Sequence, residues 1–362
     1  MLKIVHLIAT LEGGGAERQL MMLAIEQAKR GYGVHVALRR GGPYEAAMRN
    51  GGVIIHQLGN LRSIHPLLIA RVGMLMQRVR PDILHTWLPQ MDIVGGIVSF
   101  FSSVPWVLSE RTSKSAYESF PVRAWLRCHL GNHAWAVVAN SVEGARYWQP
   151  TVASENVVVV DNAVDVDAIQ NAPPMPKLSQ TKWASTILSV GRLAAEKAPE
   201  ILVQAMMRLP KRQNVGALLI GEGPLSENVR ACINKHGLEE RVKLLSYETN
   251  WWGVLNTASA LVSMSRFEGH PNVVLEAMAA RCPVIVSDIP AHRAILDARS
   301  ALIVPLDDPD ALANAIAFAV SAPAAARWRA ARAFQRVSDL TIETSADRYE
   351  DIYGRLLKRR SS

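Results

Sequence analysis

The chain has 362 residues, too many for one typical domain and suited to two of roughly 170 to 190. Hydrophobic residues make up 49% and charged residues 20%, which excludes a disordered chain and leaves enough apolar side chains for two cores. The net charge of +8 suits an anionic partner such as a nucleotide diphosphate, an anionic lipid or a nucleic acid, while Cys128, Cys232 and Cys282 have neither metal spacing nor the pattern of a disulfide framework, so a reducing, cytoplasmic compartment is expected.

The first apolar run, Lys3–Thr10, stops at Glu12 and a glycine cluster without a small-residue cleavage site, so it reads as a β-strand and not a leader. A helical pattern over Ala16–Arg30 follows, then apolar runs at Val34–Leu38, Val53–Leu58, Ile83–Trp87, Trp106–Glu110, Ala134–Asn140 and Asn156–Val160. The stretch Ile93–Leu108 is broken by serines and Pro105 and is shorter than the about 20 apolar residues a bilayer span needs, so a soluble or peripheral protein is expected. Asp165–Trp183, with Pro173, Pro174 and Pro176, interrupts the alternation and reads as a linker between domains 1–167 and 168–362. The second half repeats the pattern, with strands at Thr186–Val190, Ala217–Ile220, Val242–Leu245, Ala260–Met264, Pro283–Ser287 and Leu302–Val304 and helices including Ile201–Arg208 and Ala311–Val320. Continuous apolar strands alternating with helices predict an α/β protein with parallel sheets in both halves.

Ligands of such sheets sit beyond the carboxyl ends of the strands. Four loops there can carry chemistry. The loop LEGGGAER, residues 11–18, opens a helix with Gly14 and Gly15; it fits a dinucleotide fingerprint only loosely, because Arg18 takes the place of the third glycine and the next strand ends in Arg39 and Arg40 instead of an acid. It can equally be a plain tight turn. In SVGRLAAEK, residues 189–197, Gly191 permits a sharp exit, and Arg192 and Lys197 are either a diphosphate clamp or solvated surface charge. GEGP, residues 221–224, places Glu222 and Gly223 in a turn before a helix. The longest signal is SRFEGHPNVVLEAMAARCPVIVSD, residues 265–288. Its loop carries Glu268 and His270, Pro271 is expected at the first helical position, and spare N–H groups at Asn272, Val273 and Val274 are expected to face an anion. Glu276 follows amid apolar residues, where a carboxylate needs a partner such as the two hydroxyls of a ribose.

The spacing of Glu268 and Glu276 within EGHPNVVLE resembles the signature of the large family-4 group of retaining GT-B glycosyltransferases, also called glycosyltransferase group 1, and the GGGAER, GRLAAEK and GEGP loops recur there in the same order. The resemblance covers nearly the whole chain. It implies the GT-B architecture, two Rossmann-like domains facing a cleft, an acceptor-side first domain, a donor-binding second domain and a last helix crossing back to the first. It implies a nucleotide-diphosphate sugar as substrate, UDP by default, with no cofactor. Glu276 would hold the ribose, Arg192 and Lys197 the diphosphate and leaving group, Glu268 the donor-sugar hydroxyls, and His270 would lie near the reacting centre. Gly14 and Gly15 would approach the donor phosphate, and Gly191, Glu222, Gly223, Asn272, Val273 and Val274 would complete the donor site. A hexosyl- or N-acetylhexosaminyl transfer in envelope polysaccharide synthesis, with retention and front-face attack, would follow, although a covalent Glu268 intermediate stays open.

The segment HTWLPQ departs from the family pattern, which often has a cleft histidine near the end of this strand; here His85, Trp87 and Gln90 compete for the acceptor side, and His85 is as well explained as a satisfied buried histidine. Arg111, in SERT at residues 109–112, offers a cation to an anionic or lipid-phosphate acceptor, so the acceptor is expected to be lipid-linked or a saccharide. Basic and aromatic residues interleave over Lys114–His129, and arginines stand beside Leu and Met over Pro66–Arg80; these suit either an anionic membrane face or ordinary solvated helices. No Asp-x-Asp stands at a strand end, so no metal is expected, and no helix-turn-helix, zinc or RNA-binding signature supports a nucleic-acid partner. The rival readings are a nucleotide-sugar epimerase, a phosphorylase and a non-catalytic nucleotide-sugar binder of the same fold.

Overall fold

A strand covered by helices on both faces buries every residue, not every second one. The first strand, β1 (Lys3–Leu7), shows the result: Ile4 packs into the core on one face of its sheet, and Val5 and Leu7 into the core on the other. Likewise Val107 and Val138 join the first core, and Leu108 and Val137 the second. The computed structural model describes residues 1–61, 64–112, 117, 120–175, 183–248 and 250–361.

Two compact units divide the chain. The first comprises Met1–Ala163 with Leu340–Ser362, the second Val164–Asp339. Among the described residues the first unit has a seven-stranded parallel sheet in the order β3-β2-β1-β4-β5-β6-β7, where β2 is Gly33–Leu38, β3 Ile54–Gln57, β4 Ile83–Trp87, β5 Trp106–Glu110, β6 Ala136–Ala139 and β7 Val157–Val159. The second unit has six parallel strands in the order β10-β9-β8-β11-β12-β13, where β8 is Ser185–Val190, β9 Val215–Ile220, β10 Val242–Leu245, β11 Ala260–Ser263, β12 Val284–Ser287 and β13 Leu302–Val304. Both sheets therefore reverse direction of growth beside their first strand, between β1 and β4 and between β8 and β11. That reversal is the ligand-binding position of doubly wound sheets.

The predicted strands all form; β2, β8 and β9 start earlier than expected, and others, such as β1, end sooner. β1 stops at Leu7, because Thr10 makes only an isolated bridge to Arg40. The expected linker is not structureless: α7 (Val166–Gln170) is capped by Asp165, buries Ile169, and Gln170 donates to the carbonyl of Ala279 at 2.9 Å. Pro176 lies outside the described residues. The return to the first unit is made by α15 (Ile342–Ser361), whose Ala346, Tyr349, Tyr353 and Leu356 recur at helical spacing and enter the core beside β1. Arg30 anchors this helix through Asp347 at 2.6 Å and Glu350 at 3.0 Å.

A buried ionic cluster ties the helices of the first unit to its sheet. Arg127, on α5 (Pro121–Gly131), is 1% exposed, and it donates to Asp92 Oδ2 at 2.7 Å and Glu110 Oε2 at 2.6 Å. Thr86 donates to the other oxygen of Asp92 at 2.6 Å, and Trp148 and Tyr117 donate to Glu110. Burial pushes the Asp92 carboxyl up to about 6, against the opposing pull of Arg127 and Thr86.

Candidate active site

In the second unit the loops after β8 and β9 are seated on one another. Gly221 has φ 148°, and a side chain there would place its Cβ 2.0 Å from the Gly191 carbonyl oxygen; a Cβ on Gly223 would stand 2.4 Å from that of Leu193. These glycines are required by close approach of backbone to backbone. The Leu193 N–H donates to the Glu222 carbonyl at 3.0 Å, while the Glu222 side chain is exposed. A 3-10 turn, Ala195–Lys197, then delivers Lys197 to the switch point.

There Lys197 pairs through Nζ with Glu268 Oε1, which also accepts from the Ser265 hydroxyl at 2.6 Å. Burial would raise the Glu268 carboxyl, but the Lys197 charge and the hydrogen bonds from Lys197 and Ser265 together hold it below the usual range, so it is ionised. Behind it, Ser287 donates to the Ser265 carbonyl at 2.6 Å, and His292 donates from Nδ1 to the Ser287 carbonyl at 2.8 Å. His292 is fully buried, and its Nε2 has no hydrogen-bond partner among the described residues. Its pKa is lowered, chiefly by burial, with the Ser287 carbonyl and Glu268 opposing. Ser265, Ser287 and His292 escaped the sequence reading. The available signal was two serines at the carboxyl ends of apolar strands.

The expected clamp is only half assembled. Arg192 is largely exposed and pairs with Glu196, four residues on in its own loop, whereas Lys197 reaches Glu268. The helix after the Glu268 loop, α11 (Asn272–Ala279), begins one residue later than expected, with Pro271 as its cap. Of the three amides expected to be spare, that of Val274 already donates to the Pro271 carbonyl at 3.0 Å, and the Val274 side chain is buried. Asn272 and Val273 stand half-buried in the first turn, His270 is buried before it, and Glu276 is buried one turn inside, 5% exposed among Leu275, Ala277 and Met278.

The first unit has its own switch point. Gly14 caps α1 (Gly15–Lys29), but the chain supplies its own anion: Glu17 accepts from the Gly13 and Gly14 amides at 2.6 and 2.8 Å and from the Thr10 hydroxyl at 2.5 Å. The Gly14 amide expected to approach a phosphate is thus already engaged, while Gly15 is exposed at the first helical position. Glu17 was in view within GGGAER, three residues after its cap, as in a capping box.

His85 is fully buried, with Nδ1 against the Tyr353 hydroxyl and Nε2 against the Ser109 hydroxyl, each at 2.7 Å. Both ring nitrogens are occupied, so of the two readings open for His85 the satisfied core histidine is the one the structure contains. Gln90 accepts from Arg39 Nη1 at 2.8 Å. Arg111 lies half-buried just past β5, its guanidinium 4.4 Å from the Trp87 ring centre and donating to Asn162 at 3.0 Å and to Tyr349.

Beside His85, His6 accepts from Trp87 at Nδ1 (3.1 Å) and meets Gln27 Oε1 at Nε2 (2.9 Å), which requires the neutral ring. Burial lowers its pKa to about 4 against the hydrogen bond donated to Gln27 Oε1, which raises it. The folded state thus binds this proton more weakly than the unfolded chain, so stability present above pH 6.5 is lost as pH falls toward 4. The expected loss from His6 alone is about 3 kcal/mol. Asp92 works against it, because its raised pKa favours the protonated folded state below about 6. Urea titrations at pH 7.5 and 4.5 on wild type and His6→Gln isolate the His6 part; equal losses in the two proteins would refute it.

Among the described residues no three His, Cys, Asp or Glu side chains gather to hold a metal ion, and no helix is long and apolar enough to cross a membrane.

Comparison with known proteins is consistent across both units. Residues 184–321 match the profile of the glycosyl transferases group 1, and residues 13–168 that of glycosyltransferase family 4. The lipopolysaccharide core biosynthesis glycosyltransferase LpsD of Rhizobium meliloti is 24% identical over 326 residues, 87% of each chain. The N-acetylgalactosamine-N,N'-diacetylbacillosaminyl-diphospho-undecaprenol 4-alpha-N-acetylgalactosaminyltransferase of Campylobacter jejuni is 30% identical over 138 residues, 38% of this chain and 36% of that one. An alignment of similar extent, 33% of the relative's length, joins the chain to a glycosyltransferase of Methanocaldococcus jannaschii. In fold, the crystal structure of Anabaena HepE with UDP and glucose superposes with a TM-score of 0.86 at 20% identity, over 97% of this chain and 99% of that one.

Proposed function

Because the chain belongs to the group 1, family 4 glycosyltransferases, we propose that it moves a hexosyl or N-acetylhexosaminyl group, with retention and without a metal, from a UDP-sugar to a lipid-linked or saccharide acceptor of the cell envelope. The observation that carries this reading is the half-buried Lys197–Glu268 pair at the switch point of the second unit, with the buried Glu276 one turn into the neighbouring helix. Breaking the anomeric C–O bond leaves negative charge on the nucleotide diphosphate, and a cation fixed before the reaction stabilises that charge without reorganisation. Lys197 supplies it, with Arg192 joining once it exchanges Glu196 for phosphate. Glu268, ionised and therefore acceptor-only, takes hydrogen bonds from donor-sugar hydroxyls; Glu276 takes the ribose hydroxyls. Gly191, Glu222 and Gly223 border the nucleotide, Asn272 and Val273 approach the phosphates, and His270 lies at the reacting centre. Gln90 and Arg111 are assigned to the acceptor.

Glu276→Ala tests the donor assignment. Wild type is expected to melt at higher temperature with UDP or a UDP-sugar, and the variant to lose about tenfold or more in UDP affinity, since a charge-assisted pair of hydrogen bonds is removed. A melting temperature indifferent to every nucleotide sugar in wild type would remove the basis of the reading.

The acceptor's setting is read from the other unit. Three consecutive helices, α3 (Pro66–Val79), α4 (Pro89–Ser99) and α5, pack side by side. They expose Leu67 and Met74, and Val122 and Trp125 beside Arg123, and Phe101 in the turn just past α4 is 87% exposed. Large apolar groups with basic neighbours suit peripheral attachment to an anionic membrane. Lys114, the first residue of the basic and aromatic segment, lies outside the described residues. Flotation with vesicles containing phosphatidylglycerol is expected to carry the protein, and Trp125→Glu to reduce recovery; recovery no greater than with neutral vesicles at low salt would count against attachment.

A further inference from the structure

Two cations withdrawn from solvent in the first unit, the half-buried Arg30 and the buried Arg127, face carboxylates. Arg30 meets Glu26, Asp347 and Glu350, and Arg127 meets Asp92 and Glu110. Arg39 and Arg111 differ. Both are half-buried, and both have an Nε that is buried without a hydrogen-bond partner among the described residues. Their partners are neutral: Gln90 for Arg39, and Asn162, Tyr349 and the Trp87 ring for Arg111. A guanidinium does not deprotonate, so each site holds a full positive charge that the described protein orients but does not neutralise.

Their placement is equally specific. Arg39 follows β2 and Arg111 follows β5, so they flank the switch point formed by β1 and β4 at the carboxyl edge of the sheet. Both reach toward the short stretch where β4 ends and α4 begins, one to Gln90 and the other over Trp87. We propose that this edge of the first unit is an anion-recognition site, in which Arg39 and Arg111 grip a carboxylate or phosphate carried by the acceptor. The proposal rests on the glycosyltransferase reading and names the chemical class of its acceptor. The planar forks of arginine match such oxyanions, and the neutral partners pre-orient them.

The test uses the full chain with UDP at saturation, so that the donor phosphate site is filled. Affinities are measured by calorimetry or ligand-observed NMR for methyl glucoside, methyl glucuronoside, glucose 6-phosphate and citronellyl diphosphate. At least one anionic probe is expected to bind about tenfold or more tightly than the neutral glucoside, and that preference to fall by about tenfold in Arg39→Gln and in Arg111→Gln, as expected when a charged hydrogen-bond partner is lost. Arg111→Lys keeps the charge without the fork and is expected to be intermediate. The probe that wins separates a sugar acid, a sugar phosphate and a lipid diphosphate. No anionic preference in wild type, or a preference unchanged in both glutamine variants, overturns the proposal. UDP binding on the same samples separates the failures: UDP bound without anionic preference sinks this inference alone, whereas no UDP binding strikes the donor reading itself.

Discussion

Replacing Lys197 by alanine is expected to lower kcat for sugar transfer by about 10² to 10³, the usual loss when one preorganised group that stabilises developing charge is removed. The fold should survive, because Lys197 lies in a surface-reaching turn and is about one-third exposed. A second consequence separates this role from simple substrate binding. Burial alone pushes the Glu268 carboxyl up, and Lys197 provides the leading opposition. Without it, Glu268 protonates at higher pH, so the acid limb of the pH–rate profile of any residual activity should move upward. Lys197→Arg should retain the low acid limb and part of the rate. Steady-state kinetics from pH 4.5 to 8 with a UDP-sugar donor read both effects. A kcat within a few-fold of wild type, with only KM altered, would show that Lys197 does not act on the leaving group.

Arg127→Met is expected to destabilise the first unit by about 3 to 5 kcal/mol, because Asp92 and Glu110 would be left buried without their cation. For a unit of this size that is a fall of roughly 10 °C in melting temperature. The loss is not a hydrophobic one: methionine replaces most of the aliphatic volume, and the cost comes from two carboxylates, each hydrogen-bonded to the rest of the sheet and unable to reach water. Combining Arg127→Met with Asp92→Asn should recover part of it, since a neutral amide needs no counter-ion. Differential scanning calorimetry on the single and double variants checks the sign of that coupling. A single variant that melts within 2 °C of wild type would mean the cluster contributes nothing to stability.

The two cases differ in how far they could be read from the chain. Lys197 and Glu268 each stood in a segment whose composition pointed to anions and sugars, yet nothing local paired them across 71 positions. Arg127 was read as one of several cations of a basic, aromatic helix, and its complete burial came as a correction. The helix turns it inward toward Asp92 and Glu110, which sit on neighbouring elements. Glu17 and His85 teach the same lesson from opposite directions. The sequence left the Gly14 cap open between a phosphate site and a plain turn, and Glu17 folds back onto it; it left His85 open between an acceptor-side and a satisfied buried histidine, and Tyr353, 268 residues later, bonds its ring.

What the sequence determined by itself is the kind of structure and its loops. Apolar runs without alternation specify parallel strands covered on both sides, glycines and Pro271 specify the turns that follow them, and the order of those turns specifies the family. These are short-range rules, set by backbone geometry and by burial periodicity within about ten residues. Only the tertiary structure decided which charges meet an opposite charge and which meet only neutral groups. Strand order brings β8 beside β11 and places β2 and β5 on either side of β1 and β4, so Lys197 meets Glu268 while Arg39 and Arg111 meet only neutral groups. A charge's energy depends on what surrounds it within a few ångströms, and for these residues that environment is assembled from segments far apart in the chain.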